Sequence, residues 1–168
     1  MRLTILLTLV LVLSGISARA ADLPAPEGRT VLTVAGDIAV TNAADEARFD
    51  MKMLDALPQH RLTMETPWTD GAVAFEGVLL RDLLDRVGAA EGATMLRASA
   101  LNDYTVEIPV ADAAAHDVLL AHSMNGQRMT VRDKGPVWVI YPLGDEPELR
   151  NQETHSKMIW QLARLVVR

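Results

Sequence analysis

The sequence contains no cysteine among its 168 residues. That absence removes every chemistry that depends on a thiolate, including a cysteine nucleophile, a redox-active dithiol, a zinc–thiolate site and a sulfur ligand for a heavier metal. The four histidines have no short metal-ligand spacing. A glycine-rich phosphate loop and a Gly-x-Ser-x-Gly elbow are also missing. Common nucleotide-binding and serine hydrolase functions are therefore not expected.

Residues 1–20 have the pattern of a secretory signal peptide. Arg2 gives a positive start, residues 3–16 are apolar apart from small or hydroxyl residues, and Ala18-Arg19-Ala20 fits a cleavage site before Ala21. The apolar run is shorter than the ~20 residues of a membrane span, although an uncleaved anchor is the alternative. It has no twin arginine, and no lipidated cysteine follows it. The pattern predicts export of the unfolded chain to the periplasm or the medium, with no membrane insertion after cleavage.

Acidic residues outnumber basic ones. Removing residues 1–20 takes away two arginines and no acid, which leaves 14 of the 16 basic residues against 22 acidic ones and a net charge of −8. This balance argues against nucleic acid and anionic membranes as partners. The remaining 148 residues suit one domain. We assign residues 21–29, with two prolines and a glycine, to a loose leader and residues 30–168 to the domain.

Short strand-like runs outnumber helical patterns and are interrupted irregularly by them. This arrangement favours an α+β fold with mixed or antiparallel sheets over a doubly wound fold. The predicted helices lie within residues 45–57 and over 79–87, the second closed by Gly88, and hairpin turns are predicted at Gly36-Asp37 and Asn125-Gly126. Strands are predicted over residues 61–64, 94–98, 104–108, 118–121, 129–131 and 137–141 and within 158–167, with a turn-like segment over 145–153.

Six short motifs occur in a fixed order over residues 73–167. They are Phe75-Glu76-Gly77-Val78-Leu79-Leu80, Leu83-Leu84 to Gly88, Tyr104 with Ile108-Pro109, Leu119-Leu120-Ala121 to Met124-Asn125-Gly126, Gly135-Pro136 to Pro142, and Lys157 with Trp160. Together they resemble the oxidoreductase molybdopterin-binding domain, the central domain of sulfite oxidase-like enzymes. The resemblance implies the sulfite oxidase-like molybdopterin-binding fold, an α+β fold with mixed or antiparallel sheets and short helices.

The resemblance also implies a pterin dithiolene cofactor that carries molybdenum and is held by backbone amides and by basic and polar side chains around its phosphate. In catalytic relatives a cysteine sulfur completes the metal's ligands, a few residues before a tryptophan. The corresponding segment here, residues 62–68, offers only methionine, threonine and glutamate. A thioether is a weaker ligand than a thiolate, and Thr and Glu are hard oxygen ligands. A cysteine-ligated molybdenum centre is therefore not expected, and whether molybdopterin is bound stays open.

Five residues are predicted to bind a ligand or cofactor: Trp68, Tyr104, His155, Ser156 and Lys157. By resemblance, Tyr104 matches a substrate-side tyrosine, and residues 155–157 lie in the segment that touches the cofactor. The alternatives are a core ring for Tyr104 and a solvated strand end for residues 155–157. Ligand binding requires Trp68, Tyr104 and Lys157 to converge on one concave site. The variant Lys157→Ala is expected to fold normally and to retain ligand poorly.

Two other tryptophans, Trp138 and Trp160, are predicted to pack in the core. Trp138 stands where catalytic relatives often have an arginine, so an anion-binding group is replaced by an apolar wall.

Two functions remain open. The first is an exported, non-redox module that binds a small anionic or organic ligand, or a membrane or periplasmic partner protein. The second is a molybdopterin-dependent oxidoreductase that acts on a small oxyanion without a cysteine ligand to the metal. The absent cysteine favours the first, as does the absent twin arginine, because a cofactor assembled in the cytoplasm normally requires export of the folded holo-protein.

Overall fold

The computed structural model describes residues 22–168, so the predicted signal peptide lies outside the described residues. Within this range, ten strands form two sheets, and four short α-helices and two 3₁₀ turns connect them. The strands are β1 (Leu32–Gly36), β2 (Glu46–Phe49), β3 (His60–Met64), β4 (Val73–Leu79), β5 (Met95–Ala100), β6 (Thr105–Pro109), β7 (Leu119–Met124), β8 (Gln127–Arg128), β9 (Trp138–Ile140) and β10 (Leu162–Val167). The helices are α1 (Met51–Asp55), α2 (Leu80–Val87), α3 (Val110–Ala115) and α4 (Gln152–Lys157), and the 3₁₀ turns span Val131–Asp133 and Pro147–Leu149. The predicted α+β class with mixed and antiparallel sheets is confirmed.

The first sheet has the strand order β2-β1-β10-β5-β6. Its pairs are antiparallel except for β1 and β10, which run parallel with Thr33 opposite Arg164. Strand β5 alternates buried and exposed residues, with Leu96, Ala98 and Ala100 on the buried face. This period of two is what a sheet with one face on the core requires. In the strand order of this sheet, the C-terminal strand β10 lies at the centre, between β1 and β5.

The second sheet has the order β3-β4-β7-β8, and β9 also pairs with β7. Strands β4, β7 and β9 are buried along almost their whole length, so apolar residues occupy both faces and the sequences lack a regular alternation. The polar exceptions are Glu76 in β4 and His122 and Ser123 in β7. Trp138 and Phe75 are fully buried here, with their ring centroids 5.4 Å apart. The core predicted for Trp138 is confirmed.

Three local predictions are confirmed, whereas the strand predicted over residues 129–131 is wrong because residues 131–133 form a 3₁₀ turn. Helix α2 ends at Gly88, which adopts the left-handed conformation (φ +61°) expected of a helix C-cap. The turn Asn125-Gly126 joins β7 to β8 with positive φ at both residues, as the tight hairpin turn needs. The run 158–167 ends in strand β10, in agreement with the predicted strand.

The hairpin predicted at Gly36-Asp37 is wrong. Strand β1 does end at Gly36, but it pairs with β2 and β10 instead of with the residues that follow it. Residues 39 and 40 donate their N–H groups to the carbonyl of Val87 at the end of α2. A β-branched run has the same sequence pattern whether its partner is near or distant, and here the distant strands supply the hydrogen bonds.

The segment 45–57 is a strand followed by a helix, where a single helix was predicted. Residues 46–49 form β2, and α1 begins only after Asp50, whose Oδ1 caps the helix by accepting from the Met53 N–H at 2.9 Å. The other oxygen of Asp50 accepts from Glu27 N–H at 2.8 Å and Gly28 N–H at 2.7 Å. The segment 22–29 is therefore tied to the body of the domain, and the prediction of a loose leader is wrong for these residues.

Within residues 22–168, no helix has the length and apolar character needed to span a membrane.

Candidate functional site

A cleft of about 350 Å³ lies at the end of β5 and is formed by three separate parts of the chain. The β3–β4 loop supplies Trp68, and the end of β5 with the turn before β6 supplies a second wall. Helix α4 and the residues that follow it form the rest. The lining residues are Trp68, Ala100, Asn102, Tyr104, Gln152, His155, Ser156, Ile159 and Trp160.

Aromatic rings form much of this cleft. The ring centroid of Trp68 lies 5.6 Å from that of Trp160, 5.9 Å from that of His155 and 6.0 Å from that of Trp138. The ring planes meet at 89°, 71° and 62°, which is the edge-to-face arrangement that aromatic quadrupoles favour. Trp138 supports the cluster from the core, where its Nε1 donates to the Met158 carbonyl at 3.0 Å.

The loop that carries Trp68 is held by its own threonines. The N–H of Thr66 donates to Thr69 Oγ1 at 3.0 Å, and the N–H of Thr69 donates to the Thr66 carbonyl at 3.2 Å. Thr66 is buried, and its hydroxyl accepts from the N–H of Trp68 at 3.3 Å. These bonds fix the indole position without regular secondary structure, in line with the turn-rich loop expected from the sequence.

Helix α4 positions the polar residues of the cleft. It begins at an N-cap, Asn151, whose side chain accepts from the Thr154 N–H at 2.9 Å. Gln152, His155 and Ser156 are spaced i, i+3 and i+4, so they lie on one face of the helix and all reach the cleft. The sequence interpretation assigned this region to a turn and a strand end, although an asparagine N-cap is the signal that would have revealed the helix.

Lys157 is the one predicted site residue that the structure does not bring to the cleft. It is buried on another face of α4, where its Nζ lies 2.8 Å from Asp112 Oδ2 and 3.5 Å from Glu153 Oε1. The same Asp112 oxygen accepts from the hydroxyl of Tyr141 at 2.6 Å. Burial, and next the hydrogen bond to Asp112, raise the pKa of Tyr141 well above its usual range. Lys157 therefore ties α4 to α3 and Tyr141. The predicted convergence of Trp68, Tyr104 and Lys157 on one concave site is wrong for Lys157, and only Trp68 and Tyr104 of the three share the cleft.

The other four predicted residues, Trp68, Tyr104, His155 and Ser156, line the cleft together. The sequence missed three more residues with hydrogen-bonding groups: Asn102, Gln152 and Trp160. Trp160 was assigned to the core, but its side chain is 37% exposed. Asn102 stands two residues before Tyr104, and Gln152 stands one helical turn before His155. A correct prediction of the turn and of helix α4 would therefore have placed both residues in the cleft.

Several polar groups of the cleft lack a protein partner among residues 22–168. They are the ring nitrogens of His155, the hydroxyl of Tyr104, the side-chain amide of Gln152 and the indole N–H groups of Trp68 and Trp160. Ser156 differs, because its hydroxyl donates to the Glu153 carbonyl at 2.6 Å. The cleft thus combines apolar ring surface with hydrogen-bonding groups that are available to a bound molecule, as small-ligand sites do.

The sequence and the fold identify the family. A family model described as the oxidoreductase molybdopterin binding domain matches residues 32–143, about two thirds of the chain. The chain belongs to this family. The crystal structure of the sulfane dehydrogenase SoxCD from Paracoccus pantotrophus superimposes with a TM-score of 0.61 at 18% identity, over 81% of this chain and 37% of that chain. The match confirms the predicted sulfite oxidase-like fold, and this chain covers little more than a third of the SoxCD chain. No curated protein matches the sequence.

The cleft residues of this family member do not fit a molybdenum-carrying molybdopterin. The chain has no cysteine to act as the metal's sulfur ligand, and the lining includes no lysine or arginine to face the cofactor's phosphate. In the described range, no three His, Asp or Glu side chains approach closely enough to hold a metal ion. Every buried side-chain nitrogen and oxygen of residues 22–168 already has a hydrogen-bond partner, so no such atom requires a cofactor to satisfy it.

A second, more polar cleft of about 530 Å³ lies against the second sheet. Its charges are compensated in pairs: Arg128 contacts Asp55, and Arg61 lies 3.1 Å from Glu76. Its lining residues are Asp55, Gln59, His60, Arg61, Glu76, His122, Ser123, Gly126 and Arg128. Because these charged side chains neutralise one another, we do not assign a ligand to this second cleft.

His122 in this second cleft makes stability depend on pH. It is buried on β7, with Nε2 2.8 Å from Gln59 Oε1 and Nδ1 in contact with Arg128. Burial, and next the positive charge of Arg128, lower the pKa of His122, while the carboxylates of Asp55 and Glu76 act in the opposite direction with smaller effect.

We therefore expect the free energy of unfolding to fall as the pH is lowered from about 7.5 to about 5.5. Unfolded histidine titrates near pH 6.5, so the stabilisation is full above that pH and is lost as the pH falls through the lower pKa of folded His122. Urea denaturation of His122→Gln should show a flatter dependence. The control Ser99→Ala removes a partly buried hydroxyl from the first sheet, where its partner is Thr105 and not His122, so it should retain the wild-type slope. Equal slopes for wild type and His122→Gln would contradict the prediction.

Proposed function

We propose that this chain is an exported, non-redox module that binds a small organic ligand in the cleft between the Trp68 loop, the β5–β6 turn and helix α4. The observation that carries the proposal is the cleft itself. Partly exposed aromatic rings and unpartnered polar groups from three separate segments converge there. Convergence of this kind is how small-molecule sites are built.

The non-redox part of the proposal is supported by the donor set. A thiolate ligand for molybdenum is absent, and the only lysine of α4 is already paired with Asp112. The family's fold is kept, while the side chains that its chemistry would need are not. Function belongs to the site and not to the fold, so family membership alone does not assign the family's reaction to this chain.

Metal and ligand content of the natural protein test this proposal. Protein purified from the periplasm of cells that make molybdenum cofactor is expected to contain no molybdenum by elemental mass spectrometry. Native mass spectrometry is expected to show a small organic adduct that Tyr104→Ala lacks. Near-stoichiometric molybdenum would instead establish the molybdopterin-dependent oxidoreductase, and a protein with neither molybdenum nor adduct would refute the ligand-binding module.

Export is tested on the same material. The recovered protein is expected to begin at Ala21, since residues 18–20 form the cleavage pattern. The variant Ala20→Arg, which places a large charged residue at the small position, should accumulate uncleaved. Recovery of full-length wild type from the cytoplasm would contradict the proposal of export.

Binding should also depend on Trp160. Because its side chain is 37% exposed, Trp160→Ala is expected to keep the fold. We expect it to weaken retention of the native adduct about tenfold or more, since an aromatic wall is lost. The matched control is Leu101→Ala, which removes an even more exposed apolar side chain (46%) from outside the cleft lining. Equal adduct retention in the two variants would show that Trp160 is not part of the site.

A further inference from the structure

We infer that the ligand of this cleft is a compact organic cation with a quaternary or methylated ammonium group, which binds by cation–π contact to the aromatic walls. This inference rests on the proposed function and adds the chemical class of the ligand. Its basis is the combination of ring geometry, charge and an ammonium contact already present in the cluster.

The ring geometry forms a corner. The indole planes of Trp68 and Trp160 are perpendicular, at 89°, and their centroids are only 5.6 Å apart. Tyr104, 52% exposed, comes from the opposite wall of the same cleft. A cation within about 6 Å of the centroids of two or three rings is attracted by each ring's negative face. In this edge-to-face corner one ammonium group can lie over the open face of one indole and within about 6 Å of the centroid of the other.

The charge distribution favours a cation over an anion. None of the nine lining residues is a lysine or an arginine. Exposed carboxylates adjoin each of the three wall segments in the sequence: Glu65 and Asp70 flank Trp68, and Asp103 lies between Asn102 and Tyr104. Glu153 follows Gln152, and its Oε1 lies 3.5 Å from Lys157 Nζ, so its charge is partly compensated. An anion would enter without a counter-charge, which is costly when the group is desolvated. A diffuse monocation would be attracted by the neighbouring acids.

The protein itself places an ammonium group against these rings. The Nζ of Lys134 lies 5.4 Å from the centroid of Trp138 and 5.9 Å from that of Trp160. Lys134 does not line the cleft, so this contact uses ring surface outside the site. The indole cluster thus already supports one cation–π contact, and the exposed part of Trp160 borders the cleft.

The size and the polar groups restrict the ligand further. A volume of about 350 Å³ is near the lower end of the ~300–1,000 Å³ typical of ligand pockets. Unpartnered groups on His155, Tyr104 and Gln152 are available to a hydroxyl or carboxyl end of the ligand. A small amino alcohol or amino acid derivative with a methylated nitrogen has both features.

Three probes of nearly equal shape and different charge test the inference: choline, its uncharged carbon analogue 3,3-dimethyl-1-butanol, and the anion 3,3-dimethylbutanoate. All three tryptophans of the chain belong to the aromatic cluster, so tryptophan fluorescence reports occupancy directly, with calorimetry as a second readout. We expect choline to bind about tenfold tighter than the alcohol, and the anion to bind weakest. Trp160→Ala and Tyr104→Ala should each weaken choline binding severalfold, while Leu101→Ala should not.

The variant Lys134→Gln tests the charge of the ligand, because it should change the affinity for a cation and for an anion in opposite directions. Removing its charge takes away a nearby positive charge that repels a cationic ligand at the Trp160 ring, so choline should bind more tightly, by about two- to fivefold at low salt. For an anionic ligand the same change would weaken binding. Because Lys134 lies outside the cleft lining, the variant leaves the contacts of the ligand in place.

The possible results separate this inference from the proposed function. Equal or tighter binding of the alcohol would overturn the cationic class and leave a small-ligand module. Tighter binding of the anion, together with weakening by Lys134→Gln, would also overturn it and would assign the opposite charge. If none of the three probes binds, the cationic inference is refuted, and the native adduct alone then decides the proposed function.

Discussion

Gly77→Ala is expected to lower the free energy of unfolding by about 3 kcal/mol or more, which is a large share of the stability of a small domain. Gly77 lies in β4 opposite Ala121 of β7, next to an irregularity in the pairing. A Cβ atom at this position would lie 2.1 Å from the carbonyl oxygen of Leu120 and 2.8 Å from the Cα of Ala121. Both are backbone atoms of a central strand, so neither can move aside without breaking the sheet.

The matched control for this prediction is Gly92→Ala. Nothing lies within 4 Å of a Cβ built on Gly92, which is in an exposed turn. Its replacement should leave the urea midpoint unchanged or raise it slightly, because alanine reduces the freedom of the unfolded chain. If both variants were equally stable, close approach at Gly77 would not be a constraint of this fold.

Lys157→Met is expected to destabilise the domain by about 3 kcal/mol. The methionine keeps the length of the side chain and removes its charge. The Asp112 carboxylate, whose side chain is 17% exposed, then has only the Tyr141 hydroxyl as a partner. This expectation replaces the one drawn from the sequence, in which Lys157→Ala folds normally and loses ligand. Thermal and urea denaturation measure the effect.

A double variant distinguishes lost charge pairing from lost packing. In Lys157→Met combined with Asp112→Asn, no buried charge remains, and the asparagine oxygen still accepts from Tyr141. We expect the pair to recover more than half of the loss seen in Lys157→Met alone, which is the behaviour of a coupled pair. Additive losses in the double variant would show that the two side chains act independently.

Much of the fold was predictable because local sequence patterns mark its elements in a recognisable order along the chain. The strands predicted over residues 118–121 and 137–141, the helix closed by Gly88 and the turn at Asn125-Gly126 are each set by local chemistry, and the structure confirms them. The first sheet was less accessible. Strand β1 finds its neighbours in β2 and in β10, and no property of residues 31–41 distinguishes such a distant partner from the adjacent run that we first paired with it.

The cleft was predictable only in part, because the sequence did not show in which direction each side chain points. Trp68, Tyr104 and His155 were selected as types suited to a site, and the structure brings them together. Lys157 was selected in the same way, but the direction of a side chain depends on the helix that carries it. Since α4 was not recognised, the sequence did not show that Lys157 turns towards Asp112 while its neighbours Ser156 and His155 turn towards the cleft.

The parallel pairing of β1 with β10 bears on how the chain would be translocated. Thr33 pairs with Arg164, so the centre of the first sheet is missing until nearly all of the described sequence is available. Contacts between such distant residues form slowly, because a long loop must close before they contribute stability. A chain that crosses a membrane unfolded, as we propose, benefits from this order. Strands β1 and β2 cannot complete the first sheet before β10 has crossed the membrane. The contact between Trp68 and Trp160 likewise forms only after Trp160 has crossed.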